Sequence, residues 1–125
     1  MHSRKQREKQ EREERIREIA SQLLGEMGYL GITMDRIAEA IEYSKGTVYQ
    51  HFRNKEELLL ALMQRRQQEL VEMFQRAAAY AGTTRERITA VGEAYTLFTQ
   101  LYPVEFSNLP TLLSPSIYDK ASPEH

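Results

Sequence analysis

The sequence predicts an all-α fold made of two helical regions. Apolar residues recur three and four positions apart over several long stretches, which is the spacing of one face of an α-helix. Ser, Thr or Asn precedes most of these stretches and Gly follows some of them, as expected at helix starts and ends. The sequence shows no alternating apolar and polar run of the kind that indicates a β-strand, and no internal repeat.

The first helix is predicted over residues 8–27. Gly28 follows at the position where a glycine commonly ends a helix, and residues 29–31 are expected to form a tight turn. The apolar face of this helix has the spacing i, i+3, i+4, i+7, i+8 and i+11 and consists of Ile16, Ile19, Ala20, Leu23, Leu24 and Met27.

Charge is distributed unevenly along this chain, whose net charge is −1. Residues 1–55 hold 11 Lys and Arg against 9 Asp and Glu, whereas residues 56–125 hold 6 against 9. The positive charge is densest in the first ten residues, which we expect to be frayed or disordered without a partner. Their basic side chains either contact a DNA groove or backbone or belong to a solvated tail; they are Arg4, Lys5, Arg7 and Lys9.

Two short helices are predicted after the first. Thr33 is a suitable N-cap for one that ends near Glu42 and Tyr43, and Ser44 is a suitable N-cap for one that runs to about Phe52. Three helices within about 45 residues, with a tight turn between the two short ones, form a helix-turn-helix arrangement.

Two longer helices are predicted in the second half of the chain. Asn54, with a glutamate three positions later, has capping-box spacing and begins a helix over about residues 55–80. Thr83 and Glu86 repeat this spacing at the start of a fifth helix, which Pro103 ends or kinks. The Pro- and Ser-rich segment beyond is expected to be loop or short irregular helix that fades into a loose tail.

The residues around the predicted turn resemble a known family. Residues 44–58 carry the pattern Ser-x-Gly-Thr-x-Tyr-x-His-Phe-x-x-Lys-Glu-x-Leu, and residues 28–33 carry Gly-Tyr-x-Gly-x-Thr. Over roughly residues 10–58, the chain closely resembles the TetR family of bacterial transcriptional regulators (TetR/AcrR-like). The resemblance implies a helix-turn-helix DNA-binding domain over 1–53 and, over 54–125, a connecting helix with part of a helical effector and dimerisation region. Such regulators are normally much longer, so we expect this second region to be shortened at its C-terminal end.

One position departs from the family's pattern. TetR-like turns usually have Ala-Gly-Val before the serine, whereas this turn is Ile41-Glu42-Tyr43. A left-handed backbone at the non-glycine residue would cost on the order of 1 kcal/mol. We expect this variant to be tolerated, with Tyr43 as the buried residue of the turn.

The resemblance assigns DNA contacts to the second short helix and its surroundings. A recognition helix places its first turn in the major groove, where Lys45 suits guanine O6 and N7 and Gly46 permits close approach. The Tyr49 hydroxyl is implied to contact a phosphate while its ring packs, and His51 either donates to a phosphate or is simply exposed. The expected DNA-binding residues are Thr33, Ser44, Lys45, Gly46, Thr47, Tyr49, His51 and Lys55.

The helices after the fourth form an effector pocket in TetR-like proteins, and aromatic residues recur in that part of this chain. Tyr95, Phe98 and Tyr102 either line such a pocket or belong to an ordinary core. The resemblance therefore implies a ligand-responsive repressor that acts as a homodimer on a palindromic double-stranded DNA operator, with a small-molecule effector. We expect the dimer to form through the apolar faces of the fourth and fifth helices.

Other classes of protein have little support in the sequence. There is no Cys, the three histidines are scattered, and no nucleophile–base pair, metal cluster or phosphate loop is present, so neither an enzyme nor a metal or other cofactor is expected. No apolar run approaches the length of a membrane span and no signal peptide is evident, which favours a cytoplasmic protein without a membrane partner. The alternative left open is a protein-interaction module that keeps the TetR-like fold but has lost DNA binding or ligand sensing.

Overall fold

The computed structural model describes residues 3–80 and 82–121, which form α-helices and contain no β-strand. This confirms the predicted all-α class. The helices are α1 (Arg4–Gly31), α2 (Met34–Ile41), α3 (Lys45–His51), α4 (Lys55–Ala78), α5 (Thr84–Leu101), α6 (Pro103–Ser107), α7 (Leu109–Leu112) and α8 (Pro115–Ala121).

Helix α1 begins at Arg4 rather than at the predicted residue 8. The backbone N–H of Gln6 donates to the Ser3 hydroxyl at 3.2 Å, and the N–H of Ser3 donates to the Gln6 side chain at 2.9 Å. This reciprocal capping box satisfies N–H groups that a helix start otherwise leaves free. The expectation of a frayed start is therefore wrong from Arg4 onward.

Gly28 interrupts α1 one turn before its end, near the predicted stop. Its backbone has φ 72° and ψ 174°, a region that is essentially restricted to glycine. The chain changes direction there and brings Ile32, which is fully buried, into the core.

Helices α2 and α3 form the predicted helix-turn-helix. Thr33 and Ser44 are their N-caps, and each hydroxyl accepts a hydrogen bond of 3.1 Å from the backbone N–H three residues later. In the turn between the helices, Glu42 has φ 60° and ψ 28°, which is the left-handed region. Tyr43 is half-buried against the core, and the Arg15 guanidinium carbon lies 5.6 Å from its ring centre.

We expect the substitution Glu42→Gly to stabilise the protein by up to about 1 kcal/mol, because glycine adopts this backbone without a Cβ clash. Urea unfolding of the two proteins would measure the difference. Glu39→Gly is the matched control, since Glu39 is exposed within α2 and glycine in a helix interior should cost about 1 kcal/mol. A loss of stability in Glu42→Gly would contradict the conformation of the turn.

The core joins the helix-turn-helix to the start of α4. Leu58, Leu59 and Leu62 of α4 are fully buried, and the predicted N-cap Asn54 accepts a hydrogen bond of 2.8 Å from the backbone N–H of Glu57. The core cluster also contains Ile16, Ala20, Leu23, Leu24, Ile32, Met34, Ile37, Ala38, Ile41, Val48, Phe52, Leu112 and Ile117.

The segment after Pro103 is more regular than predicted. Pro103 stands at the first position of α6, where its missing N–H removes no helical hydrogen bond, and α7 and α8 follow. Leu112 of α7 and Ile117 of α8 are buried in the core cluster. The expected loose tail is therefore an ordered part of the fold as far as residue 121, and residues 122–125 lie outside the described residues.

Hydrogen bonds fasten α8 to the start of α4. The Arg53 guanidinium donates to the carbonyl of Ala121 at 2.7 Å, and the Asn54 amide donates to the carbonyl of Lys120 at 3.0 Å. Because Asn54 also caps α4, the same residue holds both helices at this point.

Candidate nucleic-acid interface

Helix α3 buries one face and exposes the other. Val48 is fully buried, and Phe52, which follows the helix, is buried as well. Lys45, Gly46 and Tyr49 are exposed on the other side. The first turn of α3 is thus a free surface on a helix that is fixed to the core.

Hydroxyl groups mark the beginning of both short helices. Thr33 and Ser44 lie at the starts of α2 and α3, where Thr33 is exposed and Ser44 and Thr47 are at most half-buried. The hydroxyl oxygens of Ser44 and Thr47 lie 2.7 Å apart. Thr33 and Ser44 accept hydrogen bonds from backbone N–H groups through their oxygens. The hydroxyl hydrogens can therefore be donated to an approaching phosphate.

Lys45 is exposed and lies between an acid and an aromatic ring. Its Nζ is 3.0 Å from Oδ1 of Asp35 and 5.9 Å from the ring centre of Tyr49. The hydrogen bond to Asp35 raises the pKa of Lys45, so the amine stays charged. Because exposed ion pairs are weak and exchange readily, Lys45 can leave Asp35 for another anion.

Gly46 has open space where a side chain would stand, since no atom beyond its two neighbours and the backbone of its own helix lies within 4 Å of the Cβ position. Packing within the protein therefore does not require glycine at this position. Tyr49, one turn later, is 44% exposed, so its hydroxyl can reach beyond the helix. Both observations are compatible with close approach of another molecule to this face.

His51 lies in a different environment from the one predicted. Its side chain is only 3% exposed, with Nδ1 3.2 Å from Oε2 of Glu13. Nε2 accepts a hydrogen bond from Nε of Arg12 at 3.3 Å. The ring therefore joins the end of α3 to α1, and neither nitrogen is free to donate to a phosphate.

Lys55 is also engaged inside the protein. Its Nζ donates to the carbonyls of Tyr29 at 2.8 Å and Ile32 at 3.1 Å, and lies 4.2 Å from the Tyr29 ring centre. The Tyr29 hydroxyl donates to Glu56 at 3.0 Å, and burial together with this hydrogen bond raises the pKa of Tyr29 to about 12. The ammonium thus satisfies carbonyls at the end of α1 instead of facing solvent.

A cavity of about 280 Å³ lies between α4, α5, α6 and α7. Of the three aromatic residues predicted to line an effector pocket, Phe98 lines it, whereas Tyr95 and Tyr102 do not. Tyr95 is about half exposed, and its ring centre is 5.8 Å from that of Phe106. Tyr102 packs instead with its ring centre 4.2 Å from the guanidinium carbon of Arg66.

Arg66 is the centre of a charge cluster beside this cavity, in which Arg66 and Glu105 are buried and Glu18 is about half exposed. Its guanidinium donates to Glu18 at 3.1 Å and to Glu69 at 3.2 Å, and its Nε lies 3.8 Å from Oε1 of Glu105. Glu105 also accepts a hydrogen bond from the Ser21 hydroxyl. Burial alone would lower the pKa of Arg66, but the three carboxylates raise it overall. The cluster, which the sequence did not predict, connects α1, α4 and α6.

A metal site and a membrane-spanning helix were both sought within residues 3–80 and 82–121. These residues contain no group of three His, Cys, Asp or Glu residues placed to hold a metal ion. None of their helices combines the length and apolar character that a membrane crossing requires.

The three-helix fold and the free face of α3 define a helix-turn-helix DNA-binding domain. Residues 16–62 match the family model described as bacterial regulatory proteins, tetR family. Over these residues the chain is thus similar to the DNA-binding domain of the TetR family.

Similar proteins point in the same direction. The chain is 37% identical over 93 residues to the HTH-type transcriptional activator FasR of Mycolicibacterium smegmatis, an alignment that covers 71% of this chain and 42% of that protein. The structure of a tetR family transcription regulator from Shewanella sp. PV-4 matches with a TM-score of 0.70 and 27% identity, over 87% of this chain and 61% of that one. A TetR/AcrR family regulator from Thermobifida fusca matches with a TM-score of 0.70 and 29% identity, over 89% and 60%.

The chain thus spans less than two thirds of each of these three proteins. All three are described as regulators of transcription and none as an enzyme, in agreement with the non-catalytic class predicted from the sequence.

Proposed function

We propose that this chain binds duplex DNA at a specific operator sequence through α3 and so regulates transcription. The observation that carries the proposal is the exposed first turn of α3 on a helix that Val48 fixes to the core. A major groove about 12 Å wide admits one helix and presents a different hydrogen-bond pattern for each base pair. Lys45, Gly46 and Thr47 would lie against base edges in this arrangement.

Phosphate contacts would hold α3 in register on the duplex. Ser44 and Thr33 offer hydroxyls at helix starts, and the Tyr49 hydroxyl extends beyond α3. His51 and Lys55 then act by position: His51 secures the end of α3 to α1, and Lys55 secures the end of α1 to α4.

A dimer is part of the proposal. Two copies that pack through α4 and α5 would cover apolar side chains that are about half exposed or more, and would set two α3 helices in successive major grooves about 34–36 Å apart. The operator would then be palindromic. The side chains concerned are Val71, Ile88, Tyr95, Leu97 and Leu101.

We further propose that the protein acts in the cytoplasm as a repressor, because a protein bound across a promoter excludes the polymerase. The relative from Mycolicibacterium smegmatis is named an activator, so a promoter–reporter assay should decide the direction of control. A small effector in the cavity beside Phe98 would loosen DNA binding, since α4 and α6 both line that cavity and both contact α1. Such coupling requires that the effector bind the DNA-free form more tightly.

Selection of bound sequences from random duplex DNA tests the proposal. We expect the wild-type chain to enrich a palindrome, and Lys45→Ala to bind that palindrome about tenfold or more weakly, because alanine cannot donate a hydrogen bond to a base edge. Fluorescence anisotropy at a stated salt concentration would give both dissociation constants.

Arg87→Ala is the matched control, because it removes one exposed positive charge on α5, away from α3. Circular dichroism would establish that both variants keep the fold. Enrichment of no sequence, or equal binding by Lys45→Ala and wild type, would contradict the proposed docking.

A further inference from the structure

Helix α1 extends beyond the core at its N-terminal end. Ile16 is the first buried residue of the helix, and all side chains of residues 4–11 are exposed. We call residues 4–11 the α1 overhang. At 1.5 Å per residue it is about 12 Å long.

The basic side chains of the overhang lie on different faces of α1. Lys5, Lys9 and Arg12 follow one another at i, i+4 and i+7, which places them on one face, and Ile16 continues the same line into the core. Glu8, three positions after Lys5 and four before Arg12, lies at the edge of this face and pairs with Arg4 at 3.2 Å. Lys5, Lys9 and Arg12 therefore extend the line of Ile16 beyond the core, and Glu13 lies beside Arg12 at the base of this line, 3.2 Å from His51.

This basic face begins at the recognition helix itself. Arg12 donates to His51 at 3.3 Å, and His51 is the last residue of α3. Lys9 and Lys5 lie about 4.5 Å and 10.5 Å further along the helix axis than Arg12. A duplex that holds α3 in its major groove would carry a phosphate strand past the same end of α3.

We propose that the Lys5 and Lys9 face of the overhang is a second DNA contact, which binds backbone phosphates flanking the base pairs that α3 reaches. This inference rests on the proposed function, because it requires α3 to lie in the groove. Charge supports DNA as the occupant: the overhang holds four basic and two acidic residues in a chain whose net charge is −1. The remainder of the chain is therefore net acidic, and attraction to a polyanion is concentrated at this end.

The test compares two pairs of substitutions in the same overhang. Lys5→Gln with Lys9→Gln removes the proposed contact, and Arg4→Gln with Arg7→Gln removes the same charge from other faces. Lys, Arg and Gln have similar helix propensities, so the overhang should stay helical in both variants, as circular dichroism would verify. The probe is the duplex selected by the wild-type chain, titrated by anisotropy over a series of KCl concentrations.

We expect the Lys5 and Lys9 pair to lower the slope of log K against log salt by about 0.9 for each phosphate that the protein no longer neutralises, or about 2 for each protomer. The Arg4 and Arg7 pair should change the slope much less. Hydroxyl-radical footprints should also lose protection at the outer edges of the site only in the first pair. Equal slopes for that pair and wild type, or equal losses in both pairs, would overturn the inference.

Lys45→Ala in the same titration separates this inference from the proposed function. If wild type prefers the selected sequence and Lys45→Ala weakens binding while the Lys5 and Lys9 pair leaves the slope unchanged, the overhang contact fails and the proposed function stands. If wild type prefers no sequence at all, the proposed function fails.

Discussion

Replacement of Arg66 by alanine is expected to lower the free energy of unfolding by about 3–5 kcal/mol, the range for a broken buried ion pair. The Arg66 side chain is 6% exposed and that of Glu105 is 3% exposed. Without the guanidinium, the Glu105 carboxylate would remain buried beside the hydroxyl of Ser21 with its charge uncompensated. Urea unfolding followed by circular dichroism would measure the loss.

Two further variants serve as controls for the stability loss expected in Arg66→Ala. Arg65→Ala removes the neighbouring arginine, whose partly exposed guanidinium lies 3.5 Å from Glu69, and should cost about 1 kcal/mol or less. Arg66→Met combined with Glu105→Gln removes both buried charges and should recover most of the lost stability. Equal losses in Arg66→Ala and Arg65→Ala would contradict the role given to burial.

Features that depend on nearby residues can be predicted from the sequence. The N-caps Thr33, Ser44 and Thr83, and the positive φ at Gly28, depend on side chains or backbone within a few positions. The left-handed turn at Glu42 is predictable in the same way, because the turn type depends on the few residues that form it. These local signals are sufficient for the helix order and the helix-turn-helix.

Features that depend on distant residues cannot be predicted in the same way. The local motif indicates a DNA contact at His51, but Arg12 and Glu13, which bind its ring, precede it by 39 and 38 residues. Glu105 and Ser21 are 84 residues apart in the chain. Likewise, the order of α8 depends on Arg53 and Asn54, whereas its own short, Pro- and Ser-rich sequence favours a loop.

Leu58→Ala is expected to lower the free energy of unfolding by about 2–5 kcal/mol, the usual range for a leucine deleted from a core. Leu58 is fully buried and belongs to the same cluster as Ile37 of α2 and Val48 of α3. The cavity would therefore open in the core that these helices share, and we expect DNA binding to weaken together with stability. Leu30→Ala is the control, because Leu30 is 89% exposed and its loss should change stability by about 0.5 kcal/mol or less.

The Leu58→Ala variant also tests whether the predicted division of the chain at residue 53 separates two independently stable units. If residues 1–53 were a unit with a core of its own, the substitution in α4 would leave the amide protons of α2 and α3 protected from exchange. We expect the opposite result, since Leu58 lies in the cluster that holds these two helices: protection should fall in α2, α3 and α4 together. Hydrogen exchange followed by mass spectrometry would resolve the three segments. Loss of protection in α4 alone would show that the recognition helix does not depend on α4 for its position.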